Sequence, residues 1–291
     1  MKSKVNCLPN QTPPSPGKGK GSAEPMTPSE LLSLYDDTMR RNAQVAGCTR
    51  QLTAHSSRYS TASGSLRYVM WHQFSAAVTD QRIAEEIAAA TGSVKALMWK
   101  VYGHDAPAHL GARLVAHGFT DHDPCALMAA PVARVLAALG EAPNKIKVRQ
   151  LVAAQELDAY QEVWDSVWPT APNARYVNDY RTLATARDPG VVFFAGFSAT
   201  DEPVTSGYLF HAPESPFALL CGGATKAAWR NQHAYSAMLI ARAKCALVRG
   251  ADYLAVEASP QSQPILERLG FERLSTLLFY EKDLTNALAG V

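Results

Sequence analysis

The chain of 291 residues carries a net charge of +2, with 28 Lys and Arg against 26 Asp and Glu spread along its length, and 47% of it is apolar. It is long enough for two medium domains, each with its own buried core, and its balanced charge argues against a nucleic-acid or other polyanionic partner. The five cysteines (Cys7, Cys48, Cys125, Cys221 and Cys245) fall into no CxxC or Cys/His spacing, so no metal site or disulfide framework is expected and a reducing, cytoplasmic setting fits.

Met1 to Pro28 is rich in Pro, Gly, Ser and Lys. Such a stretch buries too little to offset the entropy of ordering its backbone, so residues 1–28 are expected to form a disordered tail. It lacks the apolar run of a secretory signal, and about 20 consecutive apolar residues occur nowhere later, so no membrane association is expected. A helix is predicted from Ser29, as N-cap, to about Gln44. Thr53 to Ser65 is polar and Ser-rich. Leu66 to Trp71 then reads as a strand, Asp80 to Ala90 as a helix, Val94 to Tyr102 as a strand, and Ala108 to His117 as a helix stopped by Gly118. Phe119 to Val132 is extended with a turn at Asp121 to Pro124, and Val132 to Leu139 is a short helix ended by Gly140. Glu141 to Asn144 reads as a linker, which sets the units at 29–140 and 145–291.

The second unit opens with a strand, Ile146 to Leu151, and an amphipathic helix, Glu156 to Val167. A helix is predicted over Val177 to Ala186, a hairpin over Gly190 to Phe197 and Val204 to Phe210, and a strand over Phe217 to Gly223. The long helix Gln232 to Val248 follows, then a strand at Tyr253 to Glu257, a helix at Ser262 to Leu269, and a closing strand at Phe271 to Lys282. Val94–Phe119 and Ala251–Phe271 both run strand, Pro-containing loop, helix, Gly-Phe. A duplication accounts for this echo; chance recurrence of a common unit is the other reading.

Phe217 to Phe271 reads FALLCGGATKAAWRNQHAYSAMLIARAKCALVRGADYLAVEASPQSQPILERLGF. This segment resembles the core of the GNAT N-acetyltransferases, and most closely tandem-GNAT proteins with a degenerate first repeat. The resemblance covers about Lys145 to Leu284 well and Leu66 to Val132 loosely. It implies an α/β (α+β) fold of two GNAT-like domains, each a mixed, mostly antiparallel twisted sheet flanked by helices. It also implies acetyl-CoA as co-substrate, with acetyl transferred by direct attack to a primary amine of a small molecule or peptide. The family's pyrophosphate loop maps onto Arg230, Asn231, Gln232, His233, Ala234, Tyr235 and Ser236, where a helix N-terminus offers unpaired N–H groups and partial positive charge. The pantetheine edge maps onto Gly223, Ala224 and Thr225, the amide at Thr225 taking an oxyanion-hole role, and Ser259 falls where many members contact pantetheine.

Two positions depart from the family. His233 stands where glycine is expected; its imidazole either donates to phosphate or obstructs it. Leu266 stands where a general-acid tyrosine is usual and cannot donate a proton. The general-base candidates are Glu257, at a strand end facing the loop, and His211; the competing readings are a solvated or salt-bridged Glu and a surface His before a Pro-rich turn. Cys221 reads as a strand residue rather than a nucleophile. In the first half, Trp99, Tyr102, His104 and Asp105 read as core and loop-stabilising residues, and no glycine or arginine is available for a pyrophosphate cradle between Trp71 and Gln81. A catalytically inactive acyl-CoA-binding module is the alternative function.

Overall fold

The computed structural model describes residues 26–141, 145–168, 174–185, 190–212 and 214–285. Up to residue 25 the expected disordered tail lies outside the described residues, as does the linker beyond Glu141. Helix α1 (Pro28–Tyr35) is capped by Thr27 rather than Ser29. Proline has a preset φ and no N–H, so it suits the first turn; Glu30 N then donates to Thr27 Oγ1 (3.3 Å) while Thr27 N donates to Glu30 Oε2 (2.8 Å). The helix widens into a π turn over Asp36–Arg41, where Asn42 N donates to Asp37 O, and ends short of Gln44.

Strands β1 (Cys48–Leu52) and β2 (Ser56–Thr61) form an antiparallel hairpin, β2 lying within the Thr53–Ser65 stretch read only as polar. Buried hydroxyls are tolerated there because they have partners: Ser56 Oγ donates to Glu86 Oε1 (2.6 Å) and Ser57 Oγ to Arg41 O (2.9 Å). The first half continues with β3 (Leu66–His72), α2 (Thr79–Ala90), β4 (Ala96–Tyr102), α3 (Leu110–Ala116), β5 (Thr120–Asp121), β6 (Cys125–Pro131) and α4 (Val132–Leu139). The second comprises β7 (Lys147–Leu151), α5 (Leu157–Val167), α6 (Ala174–Thr185), β8 (Val191–Phe197), β9 (Pro203–His211), β10 (Phe217–Thr225), α7 (Ala234–Val248), β11 (Tyr253–Ala258), α8 (Gln263–Arg268) and β12 (Glu272–Asp283).

The expected mixed, mostly antiparallel architecture is present, and the strands of both halves run on into one another. The sheet order is β1-β2-β3-β4-β12-β6-β11-β10-β9-β8-β7, with β5 beside β12. Among the described residues, only β3/β4 and β10/β11 pair in parallel. The last strand of the chain therefore lies against β4 of the first half, and β6 of the first half lies against β11 of the second. The two exchanged strands meet as neighbours at the centre.

The repeat read in the sequence has matching geometry. Gly118 and Gly270 both have left-handed φ (+82° and +85°), and the following Phe119 N and Phe271 N donate to Leu114 O and Leu266 O, each at 3.1 Å. Both faces of the central strands are covered. Ala126, Met128 and Ala130 join the core under α4 and α7, while Leu127 and Ala129 pack on the opposite face with Leu31, Tyr35 and Met39 of the N-terminal helix.

Candidate active site

Parallel pairing of β10 with β11 ends at Leu220↔Val256. Beyond it β10 bulges: pairing with β9 shifts between Cys221 and Ala224 and resumes as Ala224↔Ser206 and Thr225↔Thr205. Gly222 turns the bulge at φ +56°, and a Cβ there would lie 2.5 Å from Tyr160 Oη, so both conformation and space require glycine. The edge of β10 from Cys221 to Thr225 consequently has no ladder partner on the β11 side. Its end is held by Lys226, which bridges Glu162 (2.7 Å) and Glu202 (3.0 Å).

A short 3₁₀ turn, Ala227–Trp229, leads from this strand into the α7 N-terminus. Asn231 and His233 both adopt left-handed φ (+59° and +64°), which alternates the peptide directions before the helix. Among the described residues, no backbone N–H from Asn231 to Ser236 donates to a protein acceptor; the first bond of this end is Ala237 N to His233 O. His233 occupies the conformation for which a glycine is ordinarily used, with an exposed imidazole. Arg230 is exposed, with Nε 3.5 Å from Thr225 O, and Gln232 Nε2 donates to Ala228 O (2.7 Å). Tyr235 is half-buried against the α7 core. Ser259, past the end of β11, serves the start of α8: Ser262 N donates to its Oγ at 3.4 Å, and the two hydroxyls lie 3.2 Å apart.

Glu257 is the first β11 residue beyond the parallel ladder. Its carboxylate accepts from Lys100 Nζ at both oxygens (2.6 and 2.9 Å) and from Tyr102 Oη (3.2 Å). Glu257 is thus salt-bridged in the structure. Lys100 went unnoticed in the sequence; the available signal was a lone charge within the otherwise apolar strand ALMWKVY. Lys100 is itself the first β4 residue beyond the ladder that ends at Val69↔Trp99, so the two halves place opposite charges at equivalent positions.

The structure does not bring His211 to this place. It pairs with Ala218, seven residues along β10 from Thr225, roughly 24 Å at 3.4 Å per residue. It is also buried, not a surface histidine: Nε2 lies 3.1 Å from Ser215 O, and burial lowers its pKa. The Cys221 thiol is pushed up to about 12, chiefly by burial and then by Glu257, which suits a strand residue and not a nucleophile. Leu266 is fully buried in the α7 core. His104 and Asp105 hold loops: His104 contacts Asp36 (2.7 Å) and Ser275 (2.8 Å), while Asp105 accepts from Arg40 and from Tyr102 N.

In the first half, α2 begins directly after the 3₁₀ turn Ala76–Val78, with no counterpart of the Arg230–His233 segment. Its first turn carries Asp80, engaged by Arg113 and His117. A carboxylate in the first turn disfavours a second anion at that helix end. Between the halves lies a cavity of about 350 Å³ whose wall includes Lys100, Cys221 and Glu257. Among the described residues, no helix is long and apolar enough to cross a membrane.

The fold, with a parallel strand pair beside a helix N-terminus in each half, is that of the GCN5-related N-acetyltransferases, a tandem GNAT protein among them. The chain is similar to a GCN5-related N-acetyltransferase from Kribbella flavida (16% identity, TM-score 0.60, covering 87% of this chain and 94% of that one). It is similar also to a tandem GNAT protein from the clavulanic acid biosynthesis pathway (11%, 0.54, 88% and 95%). A functionally unknown conserved protein from Staphylococcus epidermidis shares the fold too (10%, 0.63, 87% and 99%). No family model and no curated protein matches the chain.

Proposed function

We propose that this chain is a cytoplasmic N-acetyltransferase whose second half, residues 145–291, binds acetyl-CoA and passes the acetyl group to a primary amine; residues 29–140 form its degenerate partner. The observation that carries the reading is the run of undonated backbone N–H groups from Asn231 to Ser236 among the described residues, next to the β10 edge that has left the β11 ladder. Successive amides at a helix N-terminus are suited to a pyrophosphate, and Arg230 adds charge at the rim. Gly223, Ala224 and Thr225 would pair with pantetheine, with Ser259 opposite. The amine nitrogen attacks the thioester carbon, a C–N bond forms, and the C–S bond breaks. The nitrogen's proton passes to Glu257, directly or through water, and the thiolate is finally reprotonated from solvent because Leu266 cannot supply a proton.

The second reading, an acyl-CoA-binding module without turnover, is favoured by one observation: both oxygens of Glu257 are already bonded to Lys100. Calorimetry with acetyl-CoA, joined to a thiol-release assay over a panel of amines, separates the two. Binding with amine-dependent thiol release supports the transferase, and binding without release on any amine supports the module. Absence of binding at millimolar acetyl-CoA refutes both.

A further inference from the structure

We infer that the cavity between the halves takes an amine with a single cationic group and an aromatic or otherwise apolar body; on the transferase reading, which this inference rests on for the reaction, that amine is the acetyl acceptor. The position of the cavity comes first. Cys221 and Glu257, which flank the opening between β10 and β11, both lie in its wall. Anything held there faces the cleft in which the thioester would arrive.

The wall chemistry then narrows the ligand. Six of the side chains lining it are Tyr68, Met70, Met98, Tyr180, Phe210 and Phe279. Rings offer large rigid apolar contact and attract a cation over their faces, and methionines adapt to irregular apolar shapes. Among the described residues, the charged groups in the wall are Lys100, Glu257 and Asp179. Lys100 and Glu257 neutralise one another, and Asp179 accepts from Ser63 and Ser65, each at 2.9 Å. The net wall charge is thus a single negative, which matches one ammonium. A polyamine would bring in charges without counterparts. A sugar amine would set several hydroxyls against a mostly apolar wall, and each one beyond the reach of its few tyrosine and threonine hydroxyls would cost about 1–3 kcal/mol. A volume of about 350 Å³ lies near the small end of the roughly 300–1,000 Å³ typical of small-molecule sites, which points to a compact ligand.

The test uses the full chain with phenethylamine, spermidine and glucosamine as probes. Binding is measured by calorimetry without acetyl-CoA, and thiol release is measured separately. Phenethylamine should bind at least tenfold more tightly than either other amine, and Phe279→Ala should weaken it about tenfold. Met70→Ala, on the far side of β4 from Phe279 in the same sheet, serves the same purpose should Phe279→Ala fail to fold, with near-UV circular dichroism as the criterion. Equal or tighter binding of spermidine or glucosamine overturns the inference, as does unchanged phenethylamine binding in a folded variant. Selective phenethylamine binding without thiol release keeps the cavity assignment and overturns acetyl transfer; release with glucosamine but not phenethylamine does the reverse.

Discussion

If β6 completes the second half's sheet, residues 145–291 should not fold when expressed without the first half. Strand β6 pairs with β11 from Ala126↔Ala258 to Pro131↔Tyr253 and, on its other edge, with β12. Its Leu127 and Met128 are both 0% exposed, one on each face of the sheet. Burying two such side chains contributes roughly 3–6 kcal/mol, and each ladder bond about 1 kcal/mol more. That combined loss rivals the roughly 5–15 kcal/mol by which a native domain is stable. It also parts β11 from β12 and leaves Glu257 without Lys100. We therefore expect the 145–291 fragment to show no cooperative urea transition and no near-UV circular dichroism. Co-expressed fragments 1–141 and 145–291 should co-purify and recover both signals. A fragment 145–291 that unfolds cooperatively on its own, as a monomer, would refute the reasoning, because the exchanged strands would then be dispensable.

Three further outcomes follow from particular side chains. Arg40 is fully buried and donates to Asp36, to both oxygens of Asp105 and to Met70 O, so Arg40→Met, which strands a buried carboxylate, should cost about 3–5 kcal/mol in urea unfolding; a loss under about 1 kcal/mol would count against the clamp. His72 accepts from Trp99 Nε1 (3.2 Å), and burial pushes its pKa down to about 4 from 6.5. Because the folded value is the lower one, its contribution is complete above about pH 6.5. It drains away as the pH falls toward 4, by on the order of 3 kcal/mol, and His72→Asn should flatten that part of the stability profile. Gly222→Ala meets Tyr160 Oη at 2.5 Å and Trp164 Cζ3 at 2.9 Å from a left-handed residue. It should destabilise by roughly 1–3 kcal/mol and weaken acetyl-CoA binding by calorimetry; a stable variant with unchanged affinity would show that the bulge does not position the cleft.

What local pattern encodes, the sequence revealed. Amphipathic spacing marked α5 and glycine ended α3 and α8, whereas the candidate cleft came from the resemblance carried by the Gly-Gly-Ala-Thr run and its following helix. What depends on partners distant in the chain stayed hidden. The β1–β2 hairpin is written in Ser and Thr, and its burial makes sense only once Glu86 and Arg41 are seen to receive those hydroxyls. Strand exchange leaves no local trace either, since β6 and β12 carry the same extended pattern whichever neighbour they choose. His211 looked like a turn histidine because the Ser215 carbonyl that meets it is set by the loop's own fold. For Lys100, only its pairing across 157 positions explains a charge in the middle of a sheet.

That last pairing restricts how such a molecule can be rebuilt. Descent from two like copies would first have set identical groups face to face across the central axis, whereas one lineage now contributes the ammonium and the other the carboxylate. A chimaera of two first halves would oppose amine to amine, and one of two second halves acid to acid. On the duplication reading, divergence at this spot makes the halves complementary, and a symmetric pair of identical subunits would bury like charges there.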